Sequence, residues 1–204
     1  MSLPIGSDLA GYYRLHAPIY DLTRPLFLFG RQRLLGDVAG ISASIGQRQP
    51  RILEIGCGTG SNLAILCRRF PDSQLVGVDL AAAMIERAQR RCLQHVHLVH
   101  GALGRVDLGA PFDIVIASYM LSMTGDEQAR CIAAARAVLA PGGLLAVVDF
   151  HSTRSQHFAR WMAHNHVRFN TDLPMQLQAT AAPMAFASRI AYAGAWRYFS
   201  WIGY

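Results

Sequence analysis

The sequence contains no lysine: all 19 basic residues are arginine, set against 13 carboxylates for a formal net charge of +6 over 204 residues. Genomic base composition can produce such a bias. It leaves the guanidinium, which is planar and binds anions through paired hydrogen bonds, as the only permanently positive side chain. Charged residues make up only 16% of the chain and hydrophobic ones 52%, which excludes a disordered, solvating polypeptide. The four cysteines, Cys57, Cys67, Cys92 and Cys131, form no CxxC and no regular spacing, so neither a zinc site nor a disulfide framework is signalled. No apolar run approaches 18 residues and no leader pattern opens the chain, which predicts a cytoplasmic protein that does not span a membrane. Repeats and low-complexity linkers are absent too, and the length suits one domain with a full core.

The charge that is present is unevenly placed. Residues 1–50 hold five Arg against three acids, residues 51–150 nine against nine, and residues 151–204 five against one. Aromatic residues divide as five, four and ten over the same segments. A neutral middle is thus bracketed by basic, aromatic-rich ends, a surface suited to an anionic partner such as a phospholipid layer or nucleic acid.

The middle alternates strand and helix signals. Strands are expected at 51–56, 74–79, 95–99, 112–118 and 144–149, with helices at 61–70, 81–92 and 126–139, the last capped by Asp126 and ended by Pro141-Gly142-Gly143. Near-continuous apolar strands between helices imply a parallel sheet covered on both faces, an α/β, doubly wound, Rossmann-like fold. The tail changes period: 184–192 and 196–204 flank Ala193-Gly194-Ala195 and read as an antiparallel hairpin on one sheet edge. Helices are expected at 155–170 and from Asp172. At the front, Thr23 and Pro25 open a helix to about Val38, with Leu26, Phe27, Phe29, Leu34 and Leu35 opposed to Arg24, Arg31 and Arg33.

The most specific segment is Ile52 to Gly60, a strand running into Gly56, Gly58 and Gly60. Glycines after a first strand let a ligand approach the backbone at a helix N-terminus. The spacing is not the dinucleotide pattern G-x-G-x-x-G, because Ser61 stands where the third glycine would fall. Asp79 ends the next strand, where a carboxylate can accept from both hydroxyls of a ribose.

Glu54-x-Gly56-x-Gly58-x-Gly60, the acidic end of the second strand and Pro141-Gly-Gly143 before the fifth resemble the class I S-adenosylmethionine (SAM) methyltransferases across residues 51–150. The resemblance implies a seven-stranded sheet of order 3-2-1-4-5-7-6 and SAM as cofactor, S-adenosylhomocysteine (SAH) as product, with no metal. It implies that Gly56, Cys57, Gly58 and Gly60 lie against the methionine half, with Glu54 indirectly holding its ammonium. Asp79 would bind the ribose, Leu80 and Met84 would sandwich the adenine, and Ser118 would line the methionine side. Many family members carry Gly-Asp after the third strand; here the pair is Gly101-Ala102, so the backbone of Ala102 and Leu103 would meet the adenine edge.

Tyr12 to Arg24 with Leu28-Phe-Gly-Arg31 resembles the amino end of bacterial lipid-headgroup N-methyltransferases. Ala117 to Met123 and Val148-Asp-Phe150 are similar to the diacylglyceryl-homoserine type, with the phosphatidylethanolamine type a close relative. The resemblance implies one domain over 1–204: an N-terminal acceptor or membrane-contact segment (1–50), a SAM-binding core (51–150), and helices with a terminal hairpin (151–204). Methyl transfer from a sulfonium needs orientation and exclusion of water. A growing ammonium is stabilised by aromatic faces, for which Tyr20, Tyr119 and Trp161 are candidates. Tyr20 and Tyr119 are taken as the catalytic pair; Arg24, Arg31 and Trp161 are taken to bind the acceptor, the arginines meeting a carboxylate or phosphate. A basic helix carrying Phe27, Leu28 and Phe29 would reach an anionic membrane.

His151, His157, His164 and His166 crowd one region but lack HxxxH spacing or an acidic partner. Ser118-Tyr-Met-Leu121 lacks the Pro-Pro-Tyr pattern used on bases, so no nucleic acid is expected. The leading expectation is N-methylation of a lipid headgroup amine. A methyltransferase for a soluble small molecule or quinone is the alternative, and a SAM-binding regulator without turnover the second.

Overall fold

The computed structural model describes residues 27–91, 95–109 and 111–204. Seven strands form one sheet: β1 (Ile52–Ile55), β2 (Leu75–Asp79), β3 (Val96–His100), β4 (Phe112–Ser118), β5 (Leu139–Ser152), β6 (Pro183–Ala191) and β7 (Trp196–Gly203). Their order is β3-β2-β1-β4-β5-β7-β6. The first five run parallel, and β7 pairs antiparallel with both β5 and β6, the turn at 193–195 joining it to β6. The architecture is the one expected from the sequence.

The period-2 pattern of the strands divides the core in two. Ile52, Ile114, Ile116, Ala146 and Val148 face one way, against Leu34, Leu35 and Val38 of α1 (Arg31–Ser44), Leu63 and Leu66 of α2 (Ser61–Arg69) and Ile85 of α3 (Ala82–Arg90). Leu53, Val76, Val78, Val115, Val147 and Phe199 face the other, against Ile132 and Ala135 of α4 (Gln128–Ala137) and Leu173 and Leu177 of α6 (Leu173–Thr180). Each fully enclosed Val, Leu, Ile or Phe among these contributes about 1.5–3 kcal/mol relative to exposure. Gly77 in β2 lets α2 pack tightly: a Cβ there would stand 2.7 Å from Leu63 Cδ1 and 3.0 Å from Cys57 Sγ.

Several boundaries differ from the sequence reading. The expected front helix does not run through 27–30, which form a turn with Gly30 at φ +79° ahead of the helix that begins at Arg31; Thr23 and Pro25 lie outside the described residues. Phe27, Leu28 and Phe29 therefore do not line an amphipathic helix. Leu28 is buried, and the two phenylalanines pack against Trp196, at 5.7 and 6.1 Å between ring centroids. Asp126 does not cap α4, which starts two residues later after a 3₁₀ turn at Gly125–Glu127. β5 begins at Leu139 and runs through Pro141-Gly-Gly143 rather than starting after it. The helix expected over 155–170 ends early: α5 spans Gln156–His164, capped by Ser155 Oγ accepting from the Phe158 amide at 3.2 Å. No described helix is long and apolar enough to cross a membrane.

Candidate active site

The sheet order reverses between β1 and β4, and the loops following those strands open there, where open α/β sheets bind ligands. From β1 the chain makes a turn with Gly56, Gly58 and Gly60 at φ +65°, +54° and +78°, a conformation L side chains rarely adopt. At Gly56 the space is closed as well, since a Cβ would lie 2.9 Å from Met120 Cβ. The turn is held to β2 by the Gly56 and Cys57 amides, both donating to Val78 O at 2.8 and 3.1 Å. Buried Cys57 faces Glu54 and Asp79, and desolvation together with those charges pushes its thiol up.

Asp79 is a strut as well as a candidate ligand. Its Oδ2 accepts the Gly58 amide at 2.8 Å and its Oδ1 the Ala81 amide at 2.9 Å, tying the glycine turn to the start of α3. A carboxylate oxygen can accept more than one hydrogen bond. Beside it Leu80 is 47% exposed, its carbonyl bonded to His100 Nε2 at 3.1 Å. Gly101 donates its amide to Asp79 O at 2.9 Å, which brings half-buried Ala102 and Leu103 to the same rim. Met84 is wholly enclosed at 0% exposure and offers no surface to a ring, so only Leu80 of the expected adenine pair presents a face.

Across the turn, Glu54 is buried. Its Oε1 accepts from Asn62 Nδ2 at 2.7 Å, while Oε2 has no partner among the described residues. Burial pushes this carboxyl up to about 8, against the lowering effects of the Asn62 bond and the Arg31 charge. Ser118 Oγ, at the end of β4, is likewise buried without a partner among the described residues. Two buried polar atoms, a carboxyl oxygen on β1 and a hydroxyl at the end of β4, are thus left without a partner among the described residues.

Tyr119 departs from its expected role. It is 2% exposed, its ring meets Phe150 edge-on at 4.7 Å, and its hydroxyl donates to Phe29 O at 2.7 Å. An enclosed ring with a committed hydroxyl presents no face to an acceptor. Trp161 on α5 is half exposed, against Phe158 and Phe27, both at 5.8 Å. Arg31 is half-buried, its Nε donating to Leu28 O at 3.3 Å. Tyr20 and Arg24 lie outside the described residues.

Two residues without a role in the sequence reading matter here. Asn62 reaches back from the first turn of α2 to Glu54; a polar amide just after the last glycine was the available signal. Asp149, fully buried, accepts the Ser122 amide at 3.1 Å and its own neighbour's, Phe150, at 2.8 Å, pinning the loop after β4 onto β5. Desolvation raises it to about 6 although these bonds oppose the shift.

A sheet of this order, with the glycine turn between a buried acid and a carboxylate at the end of β2, is the arrangement that the resemblance to the class I methyltransferases implies. Residues 52–143 match the family model described as a methyltransferase domain. A trans-aconitate 2-methyltransferase of Methylobacterium radiotolerans is 33% identical over 110 residues, 53% of this chain and 42% of that protein. The chain spans under half the length of the curated relatives it matches. In fold it is similar to the 1,6-didemethyltoxoflavin-N1-methyltransferase of Burkholderia thailandensis, solved with its substrate and SAH (17% identity, 100% and 90% coverage, TM-score 0.69). It is also similar to the N-methyltransferase NodS of Bradyrhizobium japonicum with SAH (21% identity, 85% and 84% coverage, TM-score 0.66).

Proposed function

We propose that this protein transfers a methyl group from SAM to a soluble small-molecule acceptor. The carrying observation is the pairing of Asp79, locked to the glycine turn through the Gly58 amide, with Glu54, whose buried Oε2 has no partner among the described residues. That set fits SAM. Asp79 places a carboxylate at the end of β2 for the ribose hydroxyls, Leu80 supplies an exposed apolar face for the adenine, and the Ala102–Leu103 backbone supplies its edge. Gly56, Gly58 and Gly60 keep the turn free of side chains, and Ser118 and Glu54 border the methionine half. SAM, when bound, supplies an electrophilic methyl on a sulfonium. The chain's own work is to fix that group in line with an acceptor and to exclude water.

A soluble acceptor is favoured over a lipid headgroup by two observations. Phe27, Leu28 and Phe29 are turned into the fold instead of lining a membrane-facing helix. The relatives matched over the core are named for trans-aconitate and malonyl-[acyl-carrier protein]. Trp161, with Tyr20 and Arg24 of the amino-terminal segment, forms the acceptor side of this reading. Labelled SAM should be incubated with the purified chain and, separately, small carboxylic acids including trans-aconitate, a low-mass cell extract, and phosphatidylethanolamine vesicles. Transfer into a soluble acid or extract component is expected. Transfer only into vesicles would restore the lipid reading. SAH binding without any transfer would point to a regulator, and absence of SAH binding would overturn the proposal.

A further inference from the structure

β5 ends at the same sheet edge as the glycine turn, since β1, β4 and β5 run parallel. Its last residues break the regular pairing with β7. Phe150 pairs with Tyr198 and Ser152 with Arg197, so His151 is the extra residue of a bulge. Bulges re-aim a side chain and are over-represented next to active sites. The His151 ring meets Phe199 edge-on at 6.2 Å, which places it on the sheet face that also carries Leu145 and Val147. The backbone on either side is fixed. Before His151, Asp149 accepts the Ser122 amide at 3.1 Å and so holds the loop after β4 against β5. After it, Thr153 Oγ1 donates to Ala195 O at 2.6 Å, in the turn between β6 and β7. His151 is half-buried there, and its Nδ1 is out of water with no partner among the described residues.

We propose that His151 is a catalytic residue on the acceptor side, its Nδ1 taking the proton that the acceptor heteroatom must lose. This rests on the methyl-transfer reading above and narrows it. The heteroatom bonds to the methyl carbon, and the carbon–sulfur bond of SAM breaks with its electron pair returning to sulfur as SAH. The heteroatom's proton passes to the imidazole, which in its neutral form has one ring nitrogen able to accept. A carboxylate is already ionised at neutral pH and has no proton to give, so a base beside it gains nothing. The acceptors that need His151 are those carrying the proton to be lost: a phenol, a ring N–H or an ammonium.

The test uses labelled SAM and a low-mass cell extract with wild type, His151→Gln and His151→Ala. Mild alkali cleaves the methyl esters of carboxylic acids and releases volatile labelled methanol, whereas N-methyl and aryl O-methyl products keep the label. The wild-type product should keep its label in alkali. His151→Gln should slow transfer by about 100-fold or more, with SAH binding by isothermal titration unchanged within about twofold. Added imidazole should raise the rate of His151→Ala by about tenfold or more. A product that loses its label in alkali, transfer by His151→Gln at the wild-type rate, or a His151→Ala rate that imidazole leaves unchanged would overturn the role of His151 while leaving the methyl-transfer reading intact. A parallel loss of SAH binding in both variants would do the same, since it marks a structural role. Wild type that binds SAH and transfers to nothing in the extract would overturn the methyl-transfer reading, and this proposal with it.

Discussion

Glu54→Gln isolates the energetic consequence of burying an acid under the glycine turn. In the folded protein desolvation raises Glu54 from its ordinary 4.5 to about 8, so at neutral pH the folded state holds a proton that the unfolded chain has lost. The sign follows directly. Where the native state binds more protons, stability falls as pH rises, here from the ordinary value up to about 8, and it levels off above. The full interval corresponds to at most about 5 kcal/mol, and the stretch between about pH 6.5 and about pH 8 to about 2 kcal/mol. That narrower stretch avoids Asp149, raised only to about 6. It also avoids Cys57 and Tyr119, both pushed upward by burial. Glutamine keeps an oxygen for Asn62 Nδ2 and places a neutral N–H where the protonated acid has its O–H. Urea denaturation at the two pH values should show wild type losing about 2 kcal/mol and Glu54→Gln losing little. If both lose stability equally, Glu54 is not the buried proton-holding group described here.

Asp79→Ala removes the acceptor for the Gly58 and Ala81 amides together with the proposed ribose ligand, and titration calorimetry should show SAH binding weakened by about 1–3 kcal/mol. Gly77→Ala drives a Cβ against Leu63 and Cys57 and should lower stability by about 1–3 kcal/mol in calorimetric melts, whereas Gly40→Ala within α1, where no atom lies within 4 Å, should raise it by about 0.5–1 kcal/mol. On the Glu54→Gln background, Asp149→Asn should flatten the pH slope that remains between Asp149's ordinary 3.8 and about 6, where wild-type stability falls as pH rises. A slope that persists would assign it to another group.

Local chemistry accounts for what could be read from the chain. Strands β1, β2 and β4 and the terminal hairpin announce themselves by apolar runs and turn residues, which depend on neighbours in sequence. Boundaries failed where a distant residue overrode the local signal. Pro141-Gly-Gly143 looked like a break, yet Leu139 pairs with Phe112, so β5 starts before it. The local pattern predicts a helix running unbroken through Phe27–Phe29 to Val38, yet Gly30 sits against Tyr198 at φ +79° and the described helix starts at Arg31.

The site divides in the same way. Gly56, Gly58, Gly60 and Asp79 were legible from sequence because backbone conformation and the end of a strand are local properties with few residue types able to meet them. The roles of Tyr119, Asn62 and Asp149 were not legible, since each is defined by a partner and by burial. Tyr119 looked like an exposed aromatic face until Phe29 took its hydroxyl and Phe150 its ring. The sequence by itself determined the sheet, the glycine turn and the carboxylate beside it. Only the tertiary structure decided which polar groups lie out of water, because desolvation and hydrogen bonding between distant residues exist only once the chain has closed on itself.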